Sequence, residues 1–167
     1  MTKTKDNDLT PPSIPSPVQA EPRPIMDRPY LSMAIIAEAI LVERDNRTSI
    51  IRIVDRVSVA PDTAASLQID EIASFALVLF VSFRACGYSG KSHLLIVQID
   101  PSGDSEPIGM SEFHFNGTLR DLWEANLPLS MRWKGPGQYW VDVYLDNKLY
   151  SRIPFEIAID GQPTVKQ

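Results

Sequence analysis

Gly137 to Ile159 reads GQYWVDVYLDNKLYSRIPFEIAI. Tyr139, Val141, Val143 and Leu145 recur at a period of two, and Trp140, Asp142 and Tyr144 occupy the alternate positions. Successive side chains of a strand point to opposite faces, so this is a strand with one apolar face. Asp146, Asn147 and Lys148 are turn formers, after which Leu149, Ser151, Ile153, Phe155, Ile157 and Ile159 resume the alternation. The stretch therefore reads as a β-hairpin. Pro154 lacks a backbone donor, which requires an edge or a bulge at that point of the second arm.

Working outward, the preceding sequence follows the same grammar. Residues 33–43 are a long apolar run that periodicity alone could assign to a helix, but polar turn residues 44–47 and a β-branched stretch, 48–59, follow it. The two are read as a hairpin. Residues 60–73 are small and polar and read as a loop. Phe75 to Phe83 is apolar at nearly every position, as a central strand covered on both faces would be. Residues 92–99 and 108–115 supply two more strands, separated by the turn Asp100-Pro101-Ser102-Gly103-Asp104. Residues 118–126 read as a short helix, capped by Thr118 with Asp121 three residues on and with Leu119, Leu122 and Trp123 sharing a face. Leu127, Leu129, Met131 and Trp133 alternate, and Pro128 restricts that stretch to an edge. About eight strands without long alternating helices predict an all-β chain, an antiparallel sandwich of two sheets.

The chain of 167 residues contains 14 prolines, of which seven precede residue 30. That density predicts a disordered tail or tether over 1–29 and a β-sandwich domain over 30–167. Within the tail, Pro12-Ser13-Ile14-Pro15 matches a loose PxxP pattern, for which a stiff spacer is the simpler reading. The formal net charge of -5 lies wholly in the domain, since the tail has four basic and four acidic side chains. An acidic chain argues against nucleic-acid and anionic-membrane partners. The N-terminus lacks an apolar secretory core, and no apolar run reaches the length of a membrane helix, so a cytoplasmic protein is expected. The single cysteine, Cys86, fits a reducing compartment.

Catalytic patterns are sparse. His93 and His114, the only histidines, do not combine with Cys86 at zinc-site spacing, and Asp100, Asp104 and Glu106 do not match a calcium loop. The tempting Gly90-Lys91-Ser92 lacks the glycine spacing of a phosphate-binding loop and joins two strands. No metal, no cofactor and no enzymatic activity are expected. The aromatic residues Trp123, Trp133, Trp140 and Tyr144 form the candidate binding surface, with Trp140 and Tyr144 on the face opposite Tyr139. The alternative is that a helix or loop over 118–126 covers them.

Gly137-Gln138-Tyr139-Trp140-Val141 resembles the corner that opens strand F of immunoglobulin-like sandwiches. Val141 stands where antibody domains carry their second cysteine, and the resemblance implies that the Tyr139 hydroxyl bonds back to the chain at the corner. More broadly, an opening AIIAEAILVERDNRTSIIRIVDRVS and a closing GPGQYWVDVYLDNKLYSRIPFEI resemble small bacterial and phage proteins known only as a domain of unknown function. This likeness spans roughly 34–159. It implies an immunoglobulin-like β-sandwich and supplies no catalytic residues.

Taken together, the sequence leads to a non-enzymatic protein–protein interaction module whose partner is another protein or a second copy. A carbohydrate-binding module using the aromatic strip is the alternative.

Overall fold

The computed structural model describes residues 27–45 and 47–161. Expectations about the proline-rich segment before Asp27, its PxxP motif included, lie outside these residues. The described chain is all-β apart from one helical turn and a half, and its nine strands form two sheets. Sheet A has the order β2-β1-β4-β7, from β1 (Tyr30–Val42), β2 (Thr48–Ile53), β4 (Ile72–Arg84) and β7 (Leu122–Arg132). Sheet B has the order β3-β9-β8-β5-β6, from β3 (Arg56–Val59), β5 (Ser89–Ile99), β6 (Ser105–Asn116), β8 (Gly137–Leu145) and β9 (Lys148–Ile159), and it curls into a half-barrel. Neighbouring strands are antiparallel except for β3, which runs parallel to β9.

The sheets share one core. Ile36, Leu79, Val81, Phe83, Leu129 and Met131 enter it from sheet A, and Leu94, Ile96, Phe113, Phe115, Tyr139, Val141, Val143, Phe155 and Ile157 from sheet B. Tyr139, Val141 and Val143 have no exposed surface, so the period-two face read from the sequence is the face that the core fixes. Two polar stitches close the layers. The buried Gln98 amide of β5 accepts from the Arg132 N–H and donates to the Arg132 carbonyl of β7, both at 2.8 Å, as an extra rung between sheets. The Tyr139 hydroxyl donates to the Gly135 carbonyl at 2.7 Å and accepts from the Lys134 N–H at 3.0 Å. Its ring fills the core while its oxygen satisfies the bend before β8, and burial pushes its pKa up.

Several expectations are corrected. Residues 118–126 are not a helix. The Thr118 hydroxyl and the Asn116 N–H both donate to the Asp121 carboxylate, but this caps a turn, and β7 begins at Leu122. A helix would bury Leu119 and Leu122, both of which are exposed. A strand lets Trp123, Leu127, Leu129 and Met131 reach the core together. The one helix, α1, spans Pro61–Ser66 within the expected loop, with Pro61 in its first turn and Asp62 complementing its N-terminus. Residues 48–59 are two strands. At their junction the Val54 N–H donates to the Ile36 carbonyl of sheet A, and the Asp55 carbonyl accepts from the Glu156 N–H of sheet B, so the chain crosses between layers there.

The β1–β2 hairpin does not continue flat. Thr48 donates to the Glu124 carboxylate of β7 at 3.4 Å, although β2 and β7 are opposite edges of sheet A. Three strand spacings amount to about 14 Å, so the hairpin must lean across β4. That accounts for Phe80, which is buried but stands outside the shared core. Pro154 faces β8 alone, because the pairing of β3 with β9 begins only at Glu156. Pro128 lies on the edge strand β7.

Two stability outcomes follow from these contacts. Tyr139→Phe removes both hydroxyl bonds without emptying the core and should cost about 1–2 kcal/mol in urea denaturation. An unchanged midpoint would show the corner to be dispensable. Asp100, Glu112 and Asp121 are all held below the ordinary carboxylate range. For Asp100, burial pulls upward but is outweighed by bonds from Ser102 and Asp104, whereas Glu112 is lowered by Lys91 and Asp121 by the Thr118 hydroxyl. Carboxylates lowered on folding contribute stability that is complete above their unfolded values, about 4, and lost as pH falls through the folded ones. Thermal melts from about pH 6 to pH 2 should therefore fall steeply at the acid end, and less steeply in an Asp100→Asn, Asp121→Asn double variant.

Candidate functional site

The outer face of sheet B carries aromatic residues that the core leaves outward. On its central strand β8, Trp140, Asp142 and Tyr144 point away from the core. Their β5 partners are Ile99, Val97 and Leu95, and their β9 partners are Pro154, Arg152 and Leu149. Trp140 is 37% exposed, and Met110 of the neighbouring β6 is 80% exposed. The result is an apolar strip with one ion pair at its middle.

That pair is unusual. Asp142 has no exposed surface, although it lies on the outer face of the sheet. Arg152 covers it with a two-pronged contact, Nε to Oδ1 at 2.7 Å and Nη2 to Oδ2 at 2.8 Å, and the Tyr144 hydroxyl approaches Oδ2 at 3.3 Å. Both carboxylate oxygens are thereby engaged. The carboxylate, through its hydrogen bonds first and its charge second, raises the pKa of Arg152 further above its already high value, so the guanidinium stays charged. Among the described residues Nη1 and one hydrogen of Nη2 meet no acceptor, and Trp140 lies on the same face, two residues along β8 from Asp142.

Hairpin counting from the turn misses this pair. Asp146 and Asn147 both have positive φ, 48° and 64°, as a tight two-residue turn requires, and Leu145 pairs with Lys148. Strict counting then sets Asp142 opposite Ser151. Between Leu149 and Ser151, however, β9 carries one extra residue, Tyr150, and the bulge brings Arg152 into register with Asp142. It also moves Leu149 to the outer face, against the simple alternation.

The four aromatic residues named from the sequence do not assemble. Trp140 and Tyr144 share the outer strip. Trp133 is buried in the core at 3% exposure. Trp123 faces inward from β7 and stacks on Phe113 with ring centroids 3.8 Å apart and planes 8° from parallel. These two close the sandwich and are unavailable to a ligand. Among the described residues no helix covers the strip, since 118–126 contains a turn and the start of β7. The residues that the sequence reading missed are Arg152 and the β5 set Leu95, Val97 and Ile99. The β5 alternation is visible in the sequence, but the pairing of β5 with β8 is not.

The Asp100 loop is a self-satisfied turn, in which Asp100 Oδ1 accepts from the Ser102 N–H, the Ser102 hydroxyl and the Asp104 N–H. Among the described residues, no group of three His, Cys, Asp or Glu side chains is placed to hold a metal ion. Likewise, no helix among them is long and apolar enough to cross a membrane.

No family model and no curated protein matches the chain. Among solved structures it is similar to the Pseudomonas fluorescens alkylpurine DNA glycosylase AlkC bound to DNA containing an abasic site analog. The TM-score is 0.46 at 9% identity, over 79% of this chain and 31% of that one. The chain thus matches about a third of the glycosylase's length, and a likeness of this size transfers no activity. The expectations of a protein-interaction module and of no nucleic-acid partner stand against this structure, which is bound to DNA, and are not carried further.

Proposed function

We propose that the Trp140 strip is a stacking surface for unpaired nucleobases, a binding function carried on an immunoglobulin-like sandwich. The observation behind it is an exposed indole beside a guanidinium fixed by a buried carboxylate. Any base can stack on an indole, and stacking is worth about 1–3 kcal/mol per base. The hydrogen-bond chemistry then selects among ring-shaped ligands. At the centre of the strip Trp140 Nε1 and the free N–H groups of Arg152 are donors, and the one carboxylate has both oxygens occupied. A sugar presents hydroxyls that need acceptors as well as donors. Base carbonyls and phosphodiester oxygens only accept, so they suit a surface of donors.

The acidic chain shapes this function. With a net charge of -5 it has no long-range pull on a polyanion, and Arg56, Lys91 and His93 on this face stand near Glu156 or Glu112. Binding is local, through stacking and one cation. It favours single strands, because duplex bases are already stacked and their phosphates reward a basic groove instead. The Tyr139 corner, the crossing between β2 and β3 and the parallel pairing of β3 with β9 support the immunoglobulin-like part of the reading.

Titration of the full chain with oligo-dT should quench tryptophan fluorescence. Trp140→Ala should abolish the quenching while leaving the signals of Trp123 and Trp133. One phosphate contact implies a shallow salt slope of about -0.7 on logarithmic axes. A matched duplex or an uncharged oligosaccharide that quenches equally well would defeat the assignment. Asp142→Asn weakens the clamp on Arg152. It should lower affinity about tenfold, equivalent to about 1.4 kcal/mol, with Trp140 still exposed. Full affinity in that variant would mean the carboxylate plays no positioning role.

A further inference from the structure

The Arg152 guanidinium has one edge committed and one edge open. Nε and one hydrogen of Nη2 are held by the two oxygens of Asp142, at 2.7 and 2.8 Å. A guanidinium is planar and its N–H bonds are fixed in direction, so what remains is a fork of two parallel donors, one on Nη1 and one on Nη2. Among the described residues nothing accepts from that fork, and the Arg152 side chain is 48% exposed. Asp142 has no exposed surface, so water does not compete for the edge that it holds. We infer that the open fork reads guanine, so that the strip selects single strands with an unpaired guanine on Trp140. The inference names the ligand of the stacking surface and rests on that reading.

The selection follows from what each base offers to a pair of parallel donors. Guanine presents O6 and N7 side by side, two acceptors on one edge, and arginine is a common bidentate partner for them. Adenine has the same N7, but its N6 amino group is a donor and meets the second N–H head to head. Thymine sets a methyl group beside O4 and accepts one bond there. Cytosine has adjacent acceptors in N3 and O2, but on a single ring that overlaps an indole less than a purine does. Guanine combines the acceptor pair with a two-ring stack.

The spacing suits one base making both contacts. Trp140 and Asp142 are two residues apart on β8, about 7 Å at strand spacing, and Arg152 is the β9 partner of Asp142. Half the width of a purine plus a hydrogen bond of about 2.9 Å covers that distance. A base on the indole can therefore turn its O6 and N7 edge to the fork. The strand neighbours of Trp140 are Ile99 and Pro154, whose side chains have no polar atoms. Hydrogen-bond selection at this end of the strip thus falls to the fork and the indole N–H. Salt dependence gives a second mark. On oligo-dT the fork takes a phosphodiester oxygen, with a slope of about -0.7, whereas on guanine it binds a neutral edge and the slope moves toward zero.

The test titrates the full chain with short oligo-dT carrying one central dT, dG, dA or 7-deaza-dG, and compares midpoints of the tryptophan quenching. The dG strand should bind about tenfold more tightly than the other three. 7-Deaza-dG keeps the two rings and O6 and loses only the N7 acceptor, so equal binding of dG and 7-deaza-dG overturns the inference. Equal salt slopes for dG and dT strands overturn it as well, because the fork then holds a phosphate on both. Arg152→Lys keeps the charge without the fork and should bind oligo-dT while losing the dG preference; a preference that survives there overturns the assignment to Arg152. Binding of every strand with equal affinity defeats the guanine reading and leaves the stacking surface standing. Binding of none defeats the stacking surface and the guanine reading with it.

Discussion

One extra residue in β9, Tyr150, sets what both faces of sheet B present. By interrupting the hairpin register it places Arg152 across from Asp142 on the outside. Its own ring turns inward and meets Phe83 edge-on at 5.5 Å. Its hydroxyl reaches the carbonyl of Pro29 and ties the start of β1 to the opposite sheet. Were Tyr150 paired in regular register instead of bulged out, the hairpin would still close, but Asp142 would face Ser151, and a buried carboxylate without a cation is costly. A bulge adds local twist, and here it lies beside the strip.

The rest of the outer face follows from the inner one. Tyr139, Val141, Val143 and Leu145 cannot leave the core, and a strand slipped by one position would bury Trp140 and Asp142 in their place. Trp140 is therefore held outward by the residues on either side of it, without any contact dedicated to that purpose. Likewise, Asp142 orients Arg152 from beneath, leaving the guanidinium edge free. Rigidity of this kind lowers the entropy lost when a ligand binds.

The β8–β9 alternation was legible because a half-buried strand writes its period directly into the residue types. The bond of the Tyr139 hydroxyl back to the chain was expected only from the resemblance to the immunoglobulin-like corner, and the structure has it, to the Gly135 carbonyl. Other features depended on contacts between distant segments. Thr118 and Asp121 carry a helix-capping pattern that serves equally well for a turn, and only the pull of Phe83 and Phe113 on Trp123 decides between them. Trp133 and Trp140 are both tryptophans on apparently alternating stretches, yet one fills the core and the other faces outward. The Asp142–Arg152 pair was hidden by a bulge that no residue type announces. Residues 48–59 look like one strand because β-branched residues suit both sheets, and the crossing at Val54 and Asp55 depends on partners at Ile36 and Glu156.

The parallel pairing of β3 with β9 has a consequence for how the chain is made. Arg56 finds its ladder partner in Glu156, about a hundred residues later in the sequence. During synthesis from the N-terminus, β3 emerges long before the strand that completes it, and β1 and β2 can pair with each other but have no second layer to cover them. The apolar residues of this early hairpin, Ile35, Ile36, Ile40 and Ile50 among them, must wait beside the ribosome for partners still to be translated. Such non-local pairing slows folding, and the interval in which these strands are exposed is when the chain is most open to association with its neighbours.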